Sequence, residues 1–362
     1  MFIGNRILKM SLSKEELQRY SRHILMEEFG EEAQQKLKNA KVLVVGAGGL
    51  GCPCLLYLTA AGVGLLGIAD DDVVSISNLQ RQVLFNTEDV GQAKAEIAKK
   101  HLNSKNPLIQ IDIHPRITKD NVFDILAAYD LVIDGSDNFS TRYLLNDACV
   151  ITGKPYIYGA LFKFEGQVST FNYKQGPSYR CLYPEAPGAG EVPACGEAGV
   201  LGVLPGIIGT WQATEAIKVI TGVGEPLSGK LLIINLLTND LNILGFKVNQ
   251  LNKEIKELGF YDEVCEVELN AIDYMMLNQW LETEDIQLID VREEYEFESY
   301  NIGGVNIPMD ELEEKFSIIQ PDKKTVIVCQ TGARSLKAVE LLKASLPQTE
   351  VYNLKGGLQA SL

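Results

Sequence analysis

The stretch KVLVVGAGGLG, Lys41 to Gly51, decides the fold of the first part of the chain. A short apolar run, Val42 to Val45, leads into glycines in G-x-G-x-x-G spacing, which are Gly46, Gly48 and Gly51. The pattern predicts a buried strand, a tight turn and a helix. Glycine suits the turn because a Cβ would hold a ligand's phosphates away from the backbone amides at the helix start.

A carboxylate at a second strand end supports a nucleotide site. Asp70 follows Gly51 by 19 residues and ends a second apolar run, Val63 to Ala69. A carboxylate at that place can accept a hydrogen bond from a ribose hydroxyl. The glycines and Asp70 fit an NAD-binding Rossmann unit, another nucleotide site, or a turn needed only for tight strand–helix packing, and do not name the nucleotide.

Composition limits the classes of protein and partner. The 362 residues are enough for two domains, and 46% hydrophobic with 22% charged residues is typical of a globular protein. The formal charge of −15 argues against a general nucleic-acid surface. Any polyphosphate site must therefore be positive locally, which makes each well-placed Arg or Lys informative.

The termini, apolar runs and cysteines predict a cytoplasmic protein without a membrane partner. The start, MFIGNRILKM, is short and polar for a secretory signal. The most apolar run, Ala198 to Thr210, contains glycines and a proline and lies between Glu197 and Glu215, and it is shorter than the roughly 20 residues of a bilayer span. Seven cysteines without regular spacing indicate a reducing compartment.

Alternating strand and helix patterns predict an α/β fold with a doubly wound, mostly parallel sheet. Ligands of such sheets bind at the carboxyl ends of the strands, where we place Asp70, Asn78, Arg81 and Asp137. Further expected elements are helices over Leu12–Leu37, Gly91–Leu102 (which carries Lys94) and Gly199–Thr221, and a hairpin over Tyr156–Thr170 that turns at Glu165–Gly166.

The pattern changes in the last quarter of the chain. The charged segment 249–266 is the expected linker between a domain over residues 1–248 and a smaller α/β domain over residues 267–362. In the second domain, Thr325 to Val328 predicts a buried strand, Cys329 to Arg334 a six-residue loop, and the following residues a helix.

Taken together, the glycine run, Asp70, SNLQRQ (Ser77 to Gln82), the helix Lys and the S-D-N loop resemble the HesA/MoeB/ThiF family in the right order. These bacterial relatives of ubiquitin-activating enzymes adenylate the C-terminal glycine of small sulfur-carrier proteins. The resemblance covers about the first 245 residues. It implies ATP and Mg²⁺ as cofactors, a ubiquitin-like carrier ending in Gly-Gly as partner, and a homodimer.

The resemblance also implies roles for single residues. Gly49, with Gly46 and Gly48, would lie over the nucleotide phosphates and Asp70 would bind the ribose. Asn78, Arg81 and Lys94 would hold the triphosphate, and Asp137 would position magnesium. Arg22 would reach the ATP of the neighbouring subunit.

The chemistry of adenylation explains why such residues are needed. A carboxylate approaches an α-phosphate that is already anionic, so cations must neutralise charge and fix an in-line geometry. Taken by itself, Arg81 or Lys94 would most simply form an ion pair at the surface. Together, placed around one glycine loop, the two residues favour an active site.

The cysteines before the second domain have different expected roles. Cys195, in VPACGE, is either a thiol that bonds covalently to the carrier or its sulfur, as in many relatives, or a small packed residue. Many relatives bind zinc through two C-x-x-C pairs near Cys181 and Cys265. Here the flanking positions are Ser178 and Pro184, and Asp262 and Glu268, so we expect no structural zinc. Cys52, Cys54 and Cys149 are expected in the core.

The second domain resembles a rhodanese, a sulfurtransferase, through LIDVRE, NIGGVNIP and CQTGARS. Cys329 would carry a persulfide, which the loop amides, the helix dipole and Arg334 favour. Asp290 and Arg292 are expected as a buried pair that orders the loop. The sulfur donor would be thiosulfate or a cysteine desulfurase.

The sequence thus predicts an adenylyltransferase fused to a rhodanese. The carrier of molybdopterin synthase is the first choice and the thiamine carrier the second. Two alternatives from other classes are an NAD-dependent oxidoreductase on the same Rossmann unit and a non-catalytic carrier-binding scaffold.

Overall fold

The computed structural model describes residues 12–186, 199–259, 261 and 271–361. The chain divides into two compact units, Met1–Glu263 and Val264–Leu362. The limits of the expected linker, 249–266, stay a prediction, because part of that segment lies outside the described residues.

The first unit alternates helices and strands. Its helices are α1 (Lys14–Arg19), α2 (Ser21–Ile24), α3 (Gly30–Asn39), α4 (Gly51–Ala61), α5 (Lys94–Lys105), α6 (Val122–Leu126), α7 (Phe139–Thr152), α8 (Tyr179–Leu182) and α9 (Val203–Thr221). Its strands are β1 (Lys41–Val45), β2 (Leu65–Ala69), β3 (Gln110–His114), β4 (Leu131–Asp134), β5 (Tyr156–Phe162), β6 (Glu165–Phe171), β7 (Lys230–Asn235) and β8 (Asp240–Gly245).

The strands form one sheet in the order β3-β2-β1-β4-β5-β6-β7-β8. Pairing is parallel from β3 to β5 and antiparallel from β5 to β8. In the register, Val45 at the end of β1 lies between Ala69 of β2 and Asp134 of β4. The loops after these three strands therefore meet at one edge, where the chain reverses its strand order, and such a crevice is where ligands of doubly wound sheets bind.

Burial on both faces explains why β1 is apolar from Val42 to Val45. Val42 and Val44 pack into one buried cluster and Leu43 and Val45 into another, as residues that alternate across a strand do. Among the described residues, no helix is long and apolar enough to cross a membrane.

The second unit contains a five-stranded parallel sheet in the order β11-β10-β12-β13-β9. Its strands are β9 (Ala271–Ile272), β10 (Gln287–Asp290), β11 (Val305–Asn306), β12 (Thr325–Val328) and β13 (Val351–Leu354). Its helices are α10 (Tyr274–Thr283), α11 (Glu294–Ser299) and α12 (Ala333–Ser345). The predicted strand Thr325 to Val328 is confirmed.

Several element boundaries differ from the expectations. The helical segment expected over Leu12–Leu37 consists of three helices. The first, α1, ends at Arg19, and the capping residue Tyr20 is buried and accepts a hydrogen bond from Asn106 through its hydroxyl. The helix expected from Gly199 begins at Val203. The hairpin turns at Lys163–Phe164, two residues before the predicted place, with Lys163 at φ 52°.

The edge strand β8 was not predicted. All six of its residues are exposed, Leu241, Ile243 and Leu244 among them, and the strand is defined by its backbone pairing with β7.

Candidate active sites

A cavity of about 680 Å³ opens at the shared edge of β1, β2 and β4. Most of the predicted nucleotide residues line it, namely Gly46, Gly48, Gly49, Asp70, Arg81, Lys94 and Asp137. The loops of one sheet edge thus bring together residues that are far apart in the sequence.

The glycines of the first loop serve two different purposes. Gly46 has φ +91°, and a Cβ there would lie 2.7 Å from the Gly135 carbonyl oxygen. A Cβ on Gly51 would lie 1.9 Å from the Gly46 carbonyl oxygen. Gly48 is different, since the nearest atom to a Cβ would be Gln82 Nε2 at 3.7 Å. Gly46 and Gly51 are therefore required by close backbone packing, and Gly48 leaves room on the cavity side.

Asp70 joins the end of β2 to the glycine loop. One carboxylate oxygen accepts from the Ala47 N–H at 2.7 Å and the other from the Asp72 N–H at 2.9 Å. Burial raises the pKa of this carboxyl, and Lys94 and the two N–H donors act against the rise. Each oxygen keeps a lone pair, so Asp70 can still accept from a hydroxyl in the cavity.

Two of the predicted cations, Arg81 and Lys94, lie in the cavity wall. Lys94 is buried and its Nζ is 2.7 Å from the exposed Asp72 carboxylate. Arg81 donates from Nη1 to the Ser77 carbonyl oxygen at 3.0 Å. Lys94 thus makes an ion pair, as it would in a purely structural role. An ammonium has three N–H donors, so the two that remain can serve an anionic ligand in the cavity.

Two predicted residues do not line the cavity in this single chain. Asn78 Oδ1 accepts from the Ser75 N–H at 3.2 Å and caps a short 3₁₀ turn. Arg22 is exposed in α2. The role of Arg22 requires a neighbouring subunit and stays a prediction.

Asp137 stands in a loop that other residues hold in place. The buried Asp134 accepts from Ser136 N at 2.9 Å and from the Tyr156 hydroxyl at 2.6 Å. Asn138 caps α7 by accepting from Thr141 N at 2.9 Å. These contacts leave the exposed Asp137 carboxylate facing the cavity.

In the second unit, Cys329 lies at the end of β12 and is fully buried. Its sulfur is the acceptor for Gly332 N at 3.1 Å, Ser335 N at 3.4 Å and Ser335 Oγ at 3.2 Å. Amides that converge on a sulfur at a helix start favour an anion there.

The loop after Cys329 is shorter than predicted. Gly332 takes φ 93° and α12 begins at Ala333, so Arg334 belongs to the helix and not to the loop. Both Nη atoms of Arg334 donate to the Glu296 carboxylate, at 2.6 and 2.8 Å. The expected buried pair is confirmed, with Arg292 Nη2 2.7 Å from Asp290 Oδ2.

Comparison with known proteins identifies the two units. The profile of the ThiF family matches residues 20–256, and that of the rhodanese-like domain matches residues 275–361. The chain belongs to the ThiF family. It is an enzyme of the adenylyltransferase class that carries a rhodanese-like domain.

Named relatives cover either the whole chain or its ThiF part. A probable adenylyltransferase/sulfurtransferase, MoeZ, from Mycobacterium tuberculosis is 42% identical over 97% of this chain and 94% of its own length. A sulfur carrier protein adenylyltransferase from Thermus thermophilus is 52% identical over 66% of this chain and 91% of its own length.

Solved structures agree on the fold. The crystal structure of MccB from E. coli with MccA-N7isoASN superposes with a TM-score of 0.59 at 24% identity, over 68% of this chain and 75% of that one. At this identity the likeness shows the fold of the ThiF part alone.

Sequence reasoning missed two buried residues in the wall of the ThiF cavity. Gln82 Oε1 and Arg142 Nε are both buried and have no hydrogen-bond partner. Arg142 donates weakly from Nη2 to the Ser136 carbonyl oxygen at 3.4 Å, and its Nε is 3.7 Å from Asp134. The available signal was position alone, since Gln82 follows Arg81 and Arg142 lies in the first turn of the helix after Asp137.

The other cysteines fall into three groups. Cys52, Cys54 and Cys149 are buried as predicted, and burial raises the pKa of each thiol, to about 12 for Cys52. Cys181 Sγ is a hydrogen-bond acceptor for Asn249 N at 3.3 Å. Cys195 and Cys265 lie outside the described residues, so the role of Cys195 and the expectation of no structural zinc remain predictions.

Proposed function

We propose that this chain transfers AMP from ATP to the C-terminal glycine of a ubiquitin-like sulfur carrier, and that its rhodanese-like domain supplies the sulfur of the thiocarboxylate. The carrier of molybdopterin synthase is our first choice and the thiamine carrier our second. The names of the relatives, an adenylyltransferase/sulfurtransferase and a sulfur carrier protein adenylyltransferase, support the proposal.

The observation that carries the proposal is the composition of the cavity. A loop with an open Gly48, a ribose-competent Asp70, and the cations Arg81 and Lys94 line one cavity. Buried or half-buried cations there act at low dielectric, where they stabilise phosphate charge far more than in open water. An NAD site would have no need of these cations.

The adenylation step follows from this arrangement. The carrier carboxylate attacks the α-phosphorus of ATP, the bond to the β-phosphate breaks, and pyrophosphate leaves with the electron pair. Arg81 and Lys94 reduce the repulsion between the two anions, and Asp70 fixes the ribose so that attack is in line.

Magnesium fits the site although, among the described residues, no three His, Cys, Asp or Glu side chains come together. Mg²⁺ commonly uses one or two protein carboxylates together with substrate phosphates and water. Asp137 would supply the carboxylate, and the ion would neutralise charge on the phosphates. The sequence SDN places Asp137 beside the helix cap Asn138, which fixes its backbone.

Sulfur transfer would use Cys329. Its persulfide attacks the acyl-adenylate and AMP leaves, which joins the carrier to Cys329 through an S–S bond. A second thiolate then attacks Cys329 Sγ, a disulfide forms between the two cysteines, and the carrier leaves as a thiocarboxylate with the electron pair of the broken S–S bond. An added thiol reductant reduces the disulfide for the next turnover. Cys195 is our candidate for the second thiolate. A homodimer, in which Arg22 reaches the neighbouring ATP, is part of the same proposal.

The experiment that tests this function is thiocarboxylate formation against a panel of purified carriers. Each carrier is incubated with the full chain, Mg-ATP, thiosulfate and a thiol reductant, and its mass is measured. We expect one Gly-Gly carrier to exchange an oxygen for a sulfur atom. No change in any carrier, together with tight NADH binding, would favour the oxidoreductase instead.

A further inference from the structure

The cation beside the sulfur site of the second unit is neutralised by a carboxylate from another element. Arg334, five residues after Cys329, binds Glu296 of α11 through both Nη atoms. The contact lowers the pKa of Glu296 and raises that of Arg334, so both side chains are charged. The pair is only partly exposed, with side-chain exposures of 31% for Arg334 and 20% for Glu296.

A second arginine near the loop is also neutralised. Arg292 forms a fully buried pair with Asp290 and donates from Nη1 to Gln330 Oε1 in the loop at 3.1 Å. The Asp290 carboxylate neutralises the charge of Arg292, and Arg292 holds the loop through the uncharged side-chain oxygen of Gln330. Each of these two arginines next to the loop therefore presents an ion pair to an incoming donor, not a net positive charge.

The surroundings of the pair are acidic. The segment from Glu293 to Glu298 contains four glutamates, and Glu293 contributes to the raised pKa of Arg334. These two ion pairs therefore offer an incoming anionic donor no net attractive charge, and the attraction that is seen comes from the amides that converge on Cys329. Repulsion from a carboxylate grows in proportion to the charge of the donor.

We propose that Glu296 makes the Cys329 site select donors with a single negative charge, the class to which cysteine persulfides belong, and disfavour the dianion thiosulfate. The inference rests on the proposed sulfurtransferase function of Cys329. It names Glu296 as a specificity-determining residue of that site.

The reaction is the same for both classes of donor. The Cys329 thiolate attacks the outer sulfur, a new S–S bond forms at Cys329, and the old bond of the donor breaks. The leaving group carries away the electron pair, as sulfite from thiosulfate or as a thiolate from a persulfide. No other reactant is needed. Two donors that transfer the same outer sulfur but differ in charge therefore report how donor charge affects the loading rate.

The test compares thiosulfate, a dianion, with methanethiosulfonate, a monoanion that transfers the same outer sulfur. The full chain is mixed with each compound, quenched, and the rate of sulfur addition to the Cys329 peptide is measured by mass spectrometry. Glu296→Gln keeps a hydrogen-bond acceptor for Arg334 but removes the charge. Glu298→Gln removes an exposed charge from the same helix and serves as the matched control.

We expect Glu296→Gln to speed loading from thiosulfate about fivefold and from methanethiosulfonate only about twofold, because the energy scales with donor charge. Glu298→Gln should change either rate by less than about twofold, since the charge is solvent-exposed and screened. If Glu296→Gln has the same ratio of thiosulfate to methanethiosulfonate loading rates as the wild-type chain, the inference about Glu296 is wrong, while the sulfurtransferase proposal stands. Loading from neither compound in the wild-type chain would overturn both it and the sulfurtransferase proposal.

Discussion

The Asp70 carboxylate accepts a 2.7 Å hydrogen bond from the Ala47 N–H, so the residue at the end of β2 holds the glycine loop that follows the neighbouring strand β1. The residue proposed to bind ribose thus also shapes the turn over which the phosphates would lie. This double use explains why Asp70 remains partly buried despite the cost of desolvating a carboxylate.

Substitutions in the glycine loop should separate folding from activity. Gly46→Ala is expected to destabilise the first unit by about 1–3 kcal/mol, because of its positive φ and the clash with Gly135. Gly48→Ala should change stability by less than about 0.5 kcal/mol yet slow ATP–pyrophosphate exchange about tenfold by narrowing the cavity. Thermal melting and the exchange assay measure the two effects. Full exchange in folded Gly48→Ala would show that phosphates do not approach this loop.

The side-chain oxygen of Gln82 has no hydrogen-bond partner in the described chain, and we expect it to accept a hydrogen bond from bound ATP. We expect Gln82→Met to raise the KM for ATP about tenfold, the effect of losing one hydrogen bond of about 1–1.5 kcal/mol. Stability should not fall, since the substitution removes a buried polar atom that has no partner in the described chain. Gln110→Met, at an exposed position in β3, is the control. An unchanged KM would mean that Gln82 only fills space.

The hydroxyl of Ser335 should support the anionic sulfur of Cys329. The hydroxyl lies 3.2 Å from the sulfur and 3.1 Å from the Gly332 carbonyl oxygen and can donate to either. An anionic sulfur is the stronger acceptor, so Ser335→Ala is expected to slow loading from methanethiosulfonate about tenfold at neutral pH, as for loss of a charge-assisted hydrogen bond. Ser345→Ala, at the exposed end of α12, should load at the wild-type rate. Equal rates for both variants would assign the hydroxyl a purely structural role.

The Glu296–Arg334 pair should give the second unit a defined pH dependence. The folded-state pKa of Glu296 is lowered by Arg334, so its stabilisation is present above the unfolded value of about 4.5 and is lost as the pH falls through the folded value. We expect Glu296→Gln to cost about 0.5–1 kcal/mol at pH 7 and almost nothing once wild-type Glu296 is protonated. Unfolding curves at several pH values measure this difference. A constant difference down to pH 3 would contradict the assignment.

The sequence was informative where chemistry depends on local order. Val42–Val45 with its glycines, Asp70 at a strand end, and Thr325–Val328 before Cys329 each combine a buried strand with a turn, and neighbouring residues determine such units. The sheet order then brought Asp137 to the same cavity.

Partners across the fold could not be predicted from the sequence. The ion pair between Arg334 and Glu296 joins residues that are 38 positions apart in the sequence. The packing of Gly46 against Gly135 depends on the register between β1 and β4. Asn78 fits the family spacing, and its Oδ1 also caps a local turn, a contact that the spacing does not reveal; its role toward the triphosphate stays a prediction. Gln82 and Arg142 lacked any periodic signal, since a buried polar residue is visible only once its neighbours are known.

The most direct test of the central claim is carrier-dependent ATP–pyrophosphate exchange in two variants of the full chain. Asp137→Asn should abolish exchange because it removes the carboxylate proposed to position magnesium, and Cys329→Ala should exchange at the wild-type rate because sulfur enters after adenylation. The wild-type chain with the same carrier sets the reference. Retained exchange in folded Asp137→Asn, or exchange lost in Cys329→Ala, would contradict the account.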